Sequence, residues 1–174
     1  MLGAMAREAE TMGCEVVEVN TTRMSVKPCI ACMKCRTSGN CILPPDDAQR
    51  TLQLIRESDA LVIGAPCYWG AMPGTLKLLF DRLVYGFIDA NRIGRLPVPL
   101  LKGRKAVIVT ACSTPWPFNR LLRQTSGVVS GLKEILGKSG VKIVKTMQVG
   151  GTRSISGPKE KTLRRCRKAM HKLV

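Results

Sequence analysis

Aromatic residues make up only 4% of this 174-residue chain, too few for a surface that stacks nucleic-acid bases. Its single histidine, His171, lies in the C-terminal tail, which excludes a histidine-based catalytic triad and a histidine-rich metal site. No apolar run approaches the roughly 20 residues of a membrane span. The stretch Met1 to Glu10 carries acidic residues where a signal peptide would need an apolar core and a cleavage site, so the expected compartment is the cytoplasm. Neither a Walker loop nor a Gly-x-Gly-x-x-Gly fingerprint is present, so no motif fixes a nicotinamide site.

What is present is ordinary in bulk and unusual in charge. Hydrophobic residues account for 45% of the chain, and its length suits one domain over residues 1–174. Twenty-eight Lys and Arg against 12 Asp and Glu leave a net charge of +16, enough to attract phosphates, acidic cofactors or nucleic acid. The excess thickens at the end, where Leu163, Cys166, Met170 and Leu173 recur at helical spacing among Lys159, Lys161, Arg164, Arg165, Arg167, Lys168 and Lys172. This pattern predicts a basic helix over 158–174 with an apolar stripe inward and a solvated face outward.

The eight cysteines, in a chain without an export signal, do not suggest structural disulfides. Four of them, Cys29, Cys32, Cys35 and Cys41, crowd one loop over 29–41. Cys14, Cys67, Cys112 and Cys166 stand in or beside apolar segments, where most are expected to act as small buried hydrophobes.

Strand and helix signals alternate along the chain. Residues 2–12 read as a helix with Leu2, Met5, Ala6 and Ala9 on one face, ended by Gly13. A strand is expected over 14–19, then the cysteine loop, then a helix opened by Asp46 and Asp47 and running to about Ser58. Residues 59–64 form an apolar strand of the buried parallel type. A Gly- and Pro-rich loop leads into a helix near Pro73 that carries Leu76, Leu79, Phe80 and Leu83. Residues 85–103 read as an irregular interface or lid loop. Residues 105–110 are a strand, about 118–137 a helix, and 141–149 the last strand. This order predicts an α/β doubly wound parallel sheet with helices on both faces. Ligands in such sheets sit beyond the carboxyl ends of the strands, which directs attention to the loops near Ala65 and Ala111.

The stretch from Ala65 to Arg82 is the most informative. It leaves a buried strand and turns through Pro66, Gly70, Pro73 and Gly74 into a helix. Glycines there permit close approach of a planar ligand, exposed amides can meet its polar rim, and Tyr68 or Trp69 can pack on its face. Pro66-x-Tyr68-x-Gly70-x-x-Pro73-Gly74-x-Leu76-Lys77, followed by Asp81-Arg82, resembles the NADPH-dependent FMN reductase and iron–sulfur flavoprotein branch of the flavodoxin-like superfamily. The resemblance covers about residues 1–150 and implies a flavodoxin-like doubly wound parallel sheet. It further implies FMN as cofactor and NAD(P)H as electron donor. Pro66, Cys67, Tyr68, Trp69 and Gly70 would line the isoalloxazine ring, and Cys112, Ser113 and Thr114 would form a second wall of the pocket. No side chain is required as a catalytic acid or base, because the flavin carries the redox chemistry.

Cys29-x2-Cys32-x2-Cys35-x5-Cys41 matches the compact motif with which iron–sulfur flavoproteins hold a [4Fe–4S] cluster. Short spacings let one loop wrap a cubane, each cysteine reaching a different iron. Lys27, Lys34 and Arg36 are expected to lower the thiol pKa values. Zinc in a closed tetrahedral site and bare thiols beside the flavin are the alternatives.

By the same resemblance, the family begins with a strand and a phosphate-cradling loop, whereas this sequence opens inside the helix that should follow. The first strand of the sheet is thus expected to be missing from this chain, and FMN binding to be weak or absent. A start site placed too late is preferred over a truncated or degenerate gene or replacement by another chain. The expected partners are a small-molecule or redox-protein electron acceptor and further copies in a homodimer or homotetramer; neither a membrane nor nucleic acid is expected. Two other readings stand beside the redox one: a basic, zinc-stabilised nucleic-acid-binding protein, and a non-catalytic truncated remnant.

Overall fold

The computed structural model describes residues 1–90, 96–154 and 156–173. Helix α1 (Leu2–Thr11) buries Met5 and Ala9, and Gly13 turns the chain with φ +79°. Leu2, expected on the buried face, is exposed and lies against Gly64. Residues 14–19 do not form the expected strand. Cys14 and Val16 rest on an apolar cluster while Val17 and Val19 face outward, so the alternation of a strand is there. The ladder is not: a strand is defined by its neighbour, and none of the described strands pairs with this segment.

A single helical turn, α2 (Cys35–Ser38), sits within the cysteine loop. Helix α3 (Asp47–Glu57) begins at a capping box, in which the Ala48 amide donates to Asp46 Oδ1 at 2.9 Å and the Asp46 amide donates to Gln49 Oε1 at 3.0 Å. Strand β1 (Ala60–Pro66) leads through the Gly/Pro turn into α4 (Gly74–Phe87), which buries Leu76, Leu79, Phe80 and Leu83 as the spacing predicts. The segment expected to be irregular from residue 85 is more ordered: α4 takes its first three residues, and β2 (Ile88–Asp89) pairs antiparallel with β3 (Val98–Pro99). Residues 91–95 lie outside the described residues, and with them the middle of the expected interface or lid loop.

Strand β4 (Lys105–Ala111) is followed by two helices rather than one, α5 (Phe118–Leu121) and α6 (Gln124–Lys138). Arg123 breaks them apart with φ +54°, a left-handed backbone that cannot continue a right-handed helix. Strand β5 (Lys142–Val149) and helix α7 (Glu160–Met170) complete the chain. Cys166, Ala169 and Met170 of α7 are buried, and most of its Lys and Arg residues are exposed.

The three long strands form a parallel sheet in the order β1-β4-β5. Helices α3, α4 and α6 pack on one face around Leu52, Leu83, Ile108 and Leu132. Helices α1 and α7 cover the other face around Met5, Val107, Met147 and Cys166. This is the α/β sandwich that the alternating pattern calls for, with apolar side chains on both faces of the central strand. Pro66, Ala111 and Val149 pair across the sheet, so the three strands finish level with one another. The loops that follow them therefore rise side by side.

Candidate functional site at the strand ends

The first of these loops is a hairpin turn made by backbone. Tyr68 N–H donates to the Ala71 carbonyl at 3.0 Å, and Ala71 N–H returns a bond to the Tyr68 carbonyl at 2.9 Å. Between them Trp69 and Gly70 both have positive φ, +53° and +75°, which is the type I′ geometry. The turn leans on α6 at a point where only glycine fits, because a methyl on Gly127 would overlap the Gly70 carbonyl oxygen. The second loop is tied to its neighbours in the same manner. Cys112 N–H reaches the Val149 carbonyl at 3.0 Å, Gly151 N–H the Thr114 carbonyl at 2.9 Å, and Thr152 N–H the Cys112 carbonyl at 3.1 Å. Beneath it, the Thr125 hydroxyl donates to Gln148 Oε1 at 2.9 Å and accepts from Asn119 Nδ2 at 3.1 Å, which joins α5, α6 and β5.

Of the residues singled out from sequence, Cys67 and Cys112 lie next to each other. Cys67 N–H donates to the Ala111 carbonyl at 2.9 Å and so extends the pairing of β1 with β4. Pro66 ends β1, Ser113 is exposed and Thr114 is half-buried. Trp69 and Gly70 line a cleft of about 580 Å³ with Arg123, Gln124, Gly127 and Ser130 of the α5–α6 break and the start of α6. The chain has seven aromatic residues. Four of them are exposed after the ends of β1 and β4, Tyr68, Trp69 and Trp116 in loops and Phe118 at the start of α5, with Trp69 fully so. Large aromatic surface left in water at a strand-end cleft is what a flat ligand needs. The turn suits the edge of an isoalloxazine ring in two respects: glycine stands at the close approach, and the exposed Trp69 lines the cleft.

Of the four loop cysteines, Cys35 and Cys41 lie near Tyr85 of α4. Cys29 and Cys32 are exposed, and Cys35 and Cys41 are half-buried. The residues between them, Ala31 and Met33, take φ +52° and +59°, a conformation that costs a non-glycine residue about 1–2 kcal/mol each. The loop is thus coiled tightly at the cysteines. Burial pushes the Cys35 thiol up, and the charges of Cys41, Cys29 and Cys32 push it further. At Cys35 this runs against the expectation that Lys27, Lys34 and Arg36 lower the thiols. Among the described residues no three metal-ligating side chains converge on one point. Beside the loop, a cleft of about 300 Å³ is lined by Cys35, Gly39, Arg56, Tyr85 and Ile88. Burial first, and then the Cys41 charge, raise the Tyr85 hydroxyl.

One residue that accompanies the motif, Arg82, proves to be buried, which the sequence reading did not foresee. Arg82 is only 2% exposed, and its guanidinium lies 3.2 Å from Asp46 Oδ2. Its Nε and both Nη atoms have no aligned hydrogen-bond acceptor among the described residues, so the contact is one of charge. The same Asp46 carboxylate accepts from Lys27 N–H at 2.9 Å and from Ala48 N–H at 2.9 Å. Asp46 therefore pins together the two ends of the segment that carries the cysteines. The sequence signal was an arginine amid the apolar positions of α4.

A family model described as a flavodoxin-like fold matches residues 3–174. An iron–sulfur flavoprotein of Methanocaldococcus jannaschii is 33% identical over 96 residues, 53% of this chain and 47% of that protein. An FMN-dependent NADH:quinone oxidoreductase of Pseudomonas aeruginosa is 28% identical over 127 residues, 73% of this chain and 58% of its own length. The chain thus spans about half the length of these curated relatives. The solved NAD(P)H:quinone oxidoreductase of Methanothermobacter marburgensis has a similar fold, with a TM-score of 0.72 and 24% identity over 99% of this chain and 86% of that one.

Proposed function

The chain belongs to the flavodoxin-like fold family, and on that footing we propose that it is an FMN-dependent oxidoreductase that draws electrons from NAD(P)H. The observation that carries the reading is the exposed aromatic rim around the type I′ turn at the end of β1. Bound FMN would supply hydride acceptance and electron return to a quinone or another small acceptor, as in the relatives named for that activity. The protein's part is position. The turn offers amide groups and aromatic faces at Pro66 to Gly70, and Cys112, Ser113 and Thr114 wall the neighbouring side. No acid or base in this chain is assigned to the step.

We assign Cys29, Cys32, Cys35 and Cys41 to a [4Fe–4S] cluster, supported by the coiled loop and by the relatives named iron–sulfur flavoproteins. A redox protein is a second class of acceptor under this reading. A homodimer or homotetramer is the proposed assembly.

Flavin fluorescence tests the proposal. Weak but saturable quenching at high protein concentration, weakened further when Gly70→Val distorts the turn, is the expected result. Free fluorescence at every protein concentration would remove FMN from the assignment. Anaerobic reconstitution with iron and sulfide is expected to give four irons per chain and a broad visible absorbance; a single zinc in their place would remove the cluster.

A further inference from the structure

The adjacency of Cys67 and Cys112 carries a second redox chemistry. β1 and β4 pair in parallel from Ala60 with Lys105 to Pro66 with Ala111. The bond from Cys67 N–H to the Ala111 carbonyl continues that register by one residue and makes Cys112 the lateral partner of Cys67. Side chains at paired positions of neighbouring strands point the same way. Alternation puts both cysteines on the α6 face, the face of Leu61, Ile63 and Ala65 on β1 and of Ala106 and Ile108 on β4. Adjacent strands lie about 4.8 Å apart, inside the roughly 4.4–6.8 Å of Cα separation that a disulfide bridges.

The two thiols are unequal. Cys67 is half-buried, and its Sγ lies 3.4 Å from Oε1 of Gln124, a residue that lines the larger cleft. Cys112 is buried, with its Sγ 3.4 Å from the Thr114 carbonyl. Burial, and then a charge on Cys67, push the Cys112 thiol up. This arrangement suits one thiol that meets a reagent from the cleft and a second that waits beside it.

We propose that Cys67 and Cys112 form a redox-active dithiol that closes to a disulfide by exchange with a low-molecular-weight disulfide. The Cys67 thiolate attacks one sulfur of the reagent, forming a mixed disulfide and releasing one thiolate. Cys112, on losing its proton, attacks the Cys67 sulfur and displaces the second. One sulfur–sulfur bond is broken and one is made; the two protein thiols are oxidised, and the reagent is reduced to two thiols that take up the two protons. The adjacency of the pair rests on strand register and not on FMN; FMN bound at the turn would cover the side from which the reagent enters, so the test uses the FMN-free chain.

Exposure to oxidised glutathione followed by alkylation under denaturing conditions and tryptic mapping tests the pair. Cys67 falls in fragment 57–77 and Cys112 in fragment 106–120. The expected result is a cross-link between these fragments, with loss of both alkylated forms and their return after reduction. In Cys112→Ser the glutathione adduct should remain on Cys67, and in Cys67→Ser no adduct should form on Cys112. Recovery of Cys67 and Cys112 as alkylated thiols while the 29–41 cysteines oxidise would overturn the proposal. A stable adduct on Cys67 in the unaltered chain, without the cross-link, would do so too. The unaltered chain decides the matter even if a variant fails to fold.

Discussion

The turn at the end of β1 and the cysteine loop before α3 are built by different means. Main-chain hydrogen bonds hold the turn: Tyr68 and Ala71 bond to each other, and Cys67 extends the ladder to β4. At the base of the cysteine loop side chains carry much of the load: Asp46 gathers Lys27 and Ala48 and faces buried Arg82, and Asp47 accepts from Ser25 N–H at 2.7 Å beside one main-chain bond to the Ser25 carbonyl. A main-chain site keeps its shape through most side-chain changes. A side-chain clamp is weakened by a single one.

The largest test of that contrast is Arg82→Leu. It leaves the Asp46 carboxylate buried without its cation and is expected to lower stability by about 3 kcal/mol in urea unfolding. Metal retention by the loop should fall with it, whereas FMN quenching at the turn should change little. Gly127→Ala attacks the turn through a tight backbone contact with α6. Overlap with the Gly70 carbonyl should outweigh the better helix propensity of alanine, for a net loss of about 1–2 kcal/mol by the same measurement. Next in size, Trp69→Asn should raise stability by about 1 kcal/mol, because a fully exposed side chain is exchanged for one that tolerates positive φ. If it destabilises instead, the indole contributes to the fold and the turn is not held by backbone alone.

The smallest effect is on pH dependence. The folded chain holds the Cys35, Cys112 and Cys166 protons more firmly than the unfolded chain, mainly through burial. Their contribution to stability is complete below the ordinary thiol range and is lost as pH rises through the raised values. Unfolding midpoints measured on the alkaline side should therefore fall with pH, and Cys35→Ser should flatten that slope.

Much of this architecture could be read from residues. Asp46 and Asp47 announced the start of α3, and the spacing of Leu76, Leu79, Phe80 and Leu83 fixed the inner face of α4. The strand at 14–19 was misread because its alternation is real while its partner is not among the described strands. Periodicity reports which side chains turn inward; it is silent on whether a ladder exists. The helix expected through residue 123 was broken by a backbone conformation that no residue type at that position announces. At the site, the turn was legible from Pro66, Gly70 and Pro73. The demand for glycine at 127 arises from a chain segment more than 50 residues away and leaves no local trace.

The outer edge of β1 has a consequence for amide exchange. Along a strand the N–H groups point alternately to either side. The Cys67 amide faces β4, so by alternation those of Leu61, Ile63 and Ala65 do as well, and those of Val62 and Gly64 face an edge that no described strand covers. Deuterium should enter Val62 and Gly64 well before their neighbours, a two-residue beat along one short segment. Among the described strands β4 alone fastens the strand that delivers the turn to the cleft, which gives the turn more freedom to settle around a ligand.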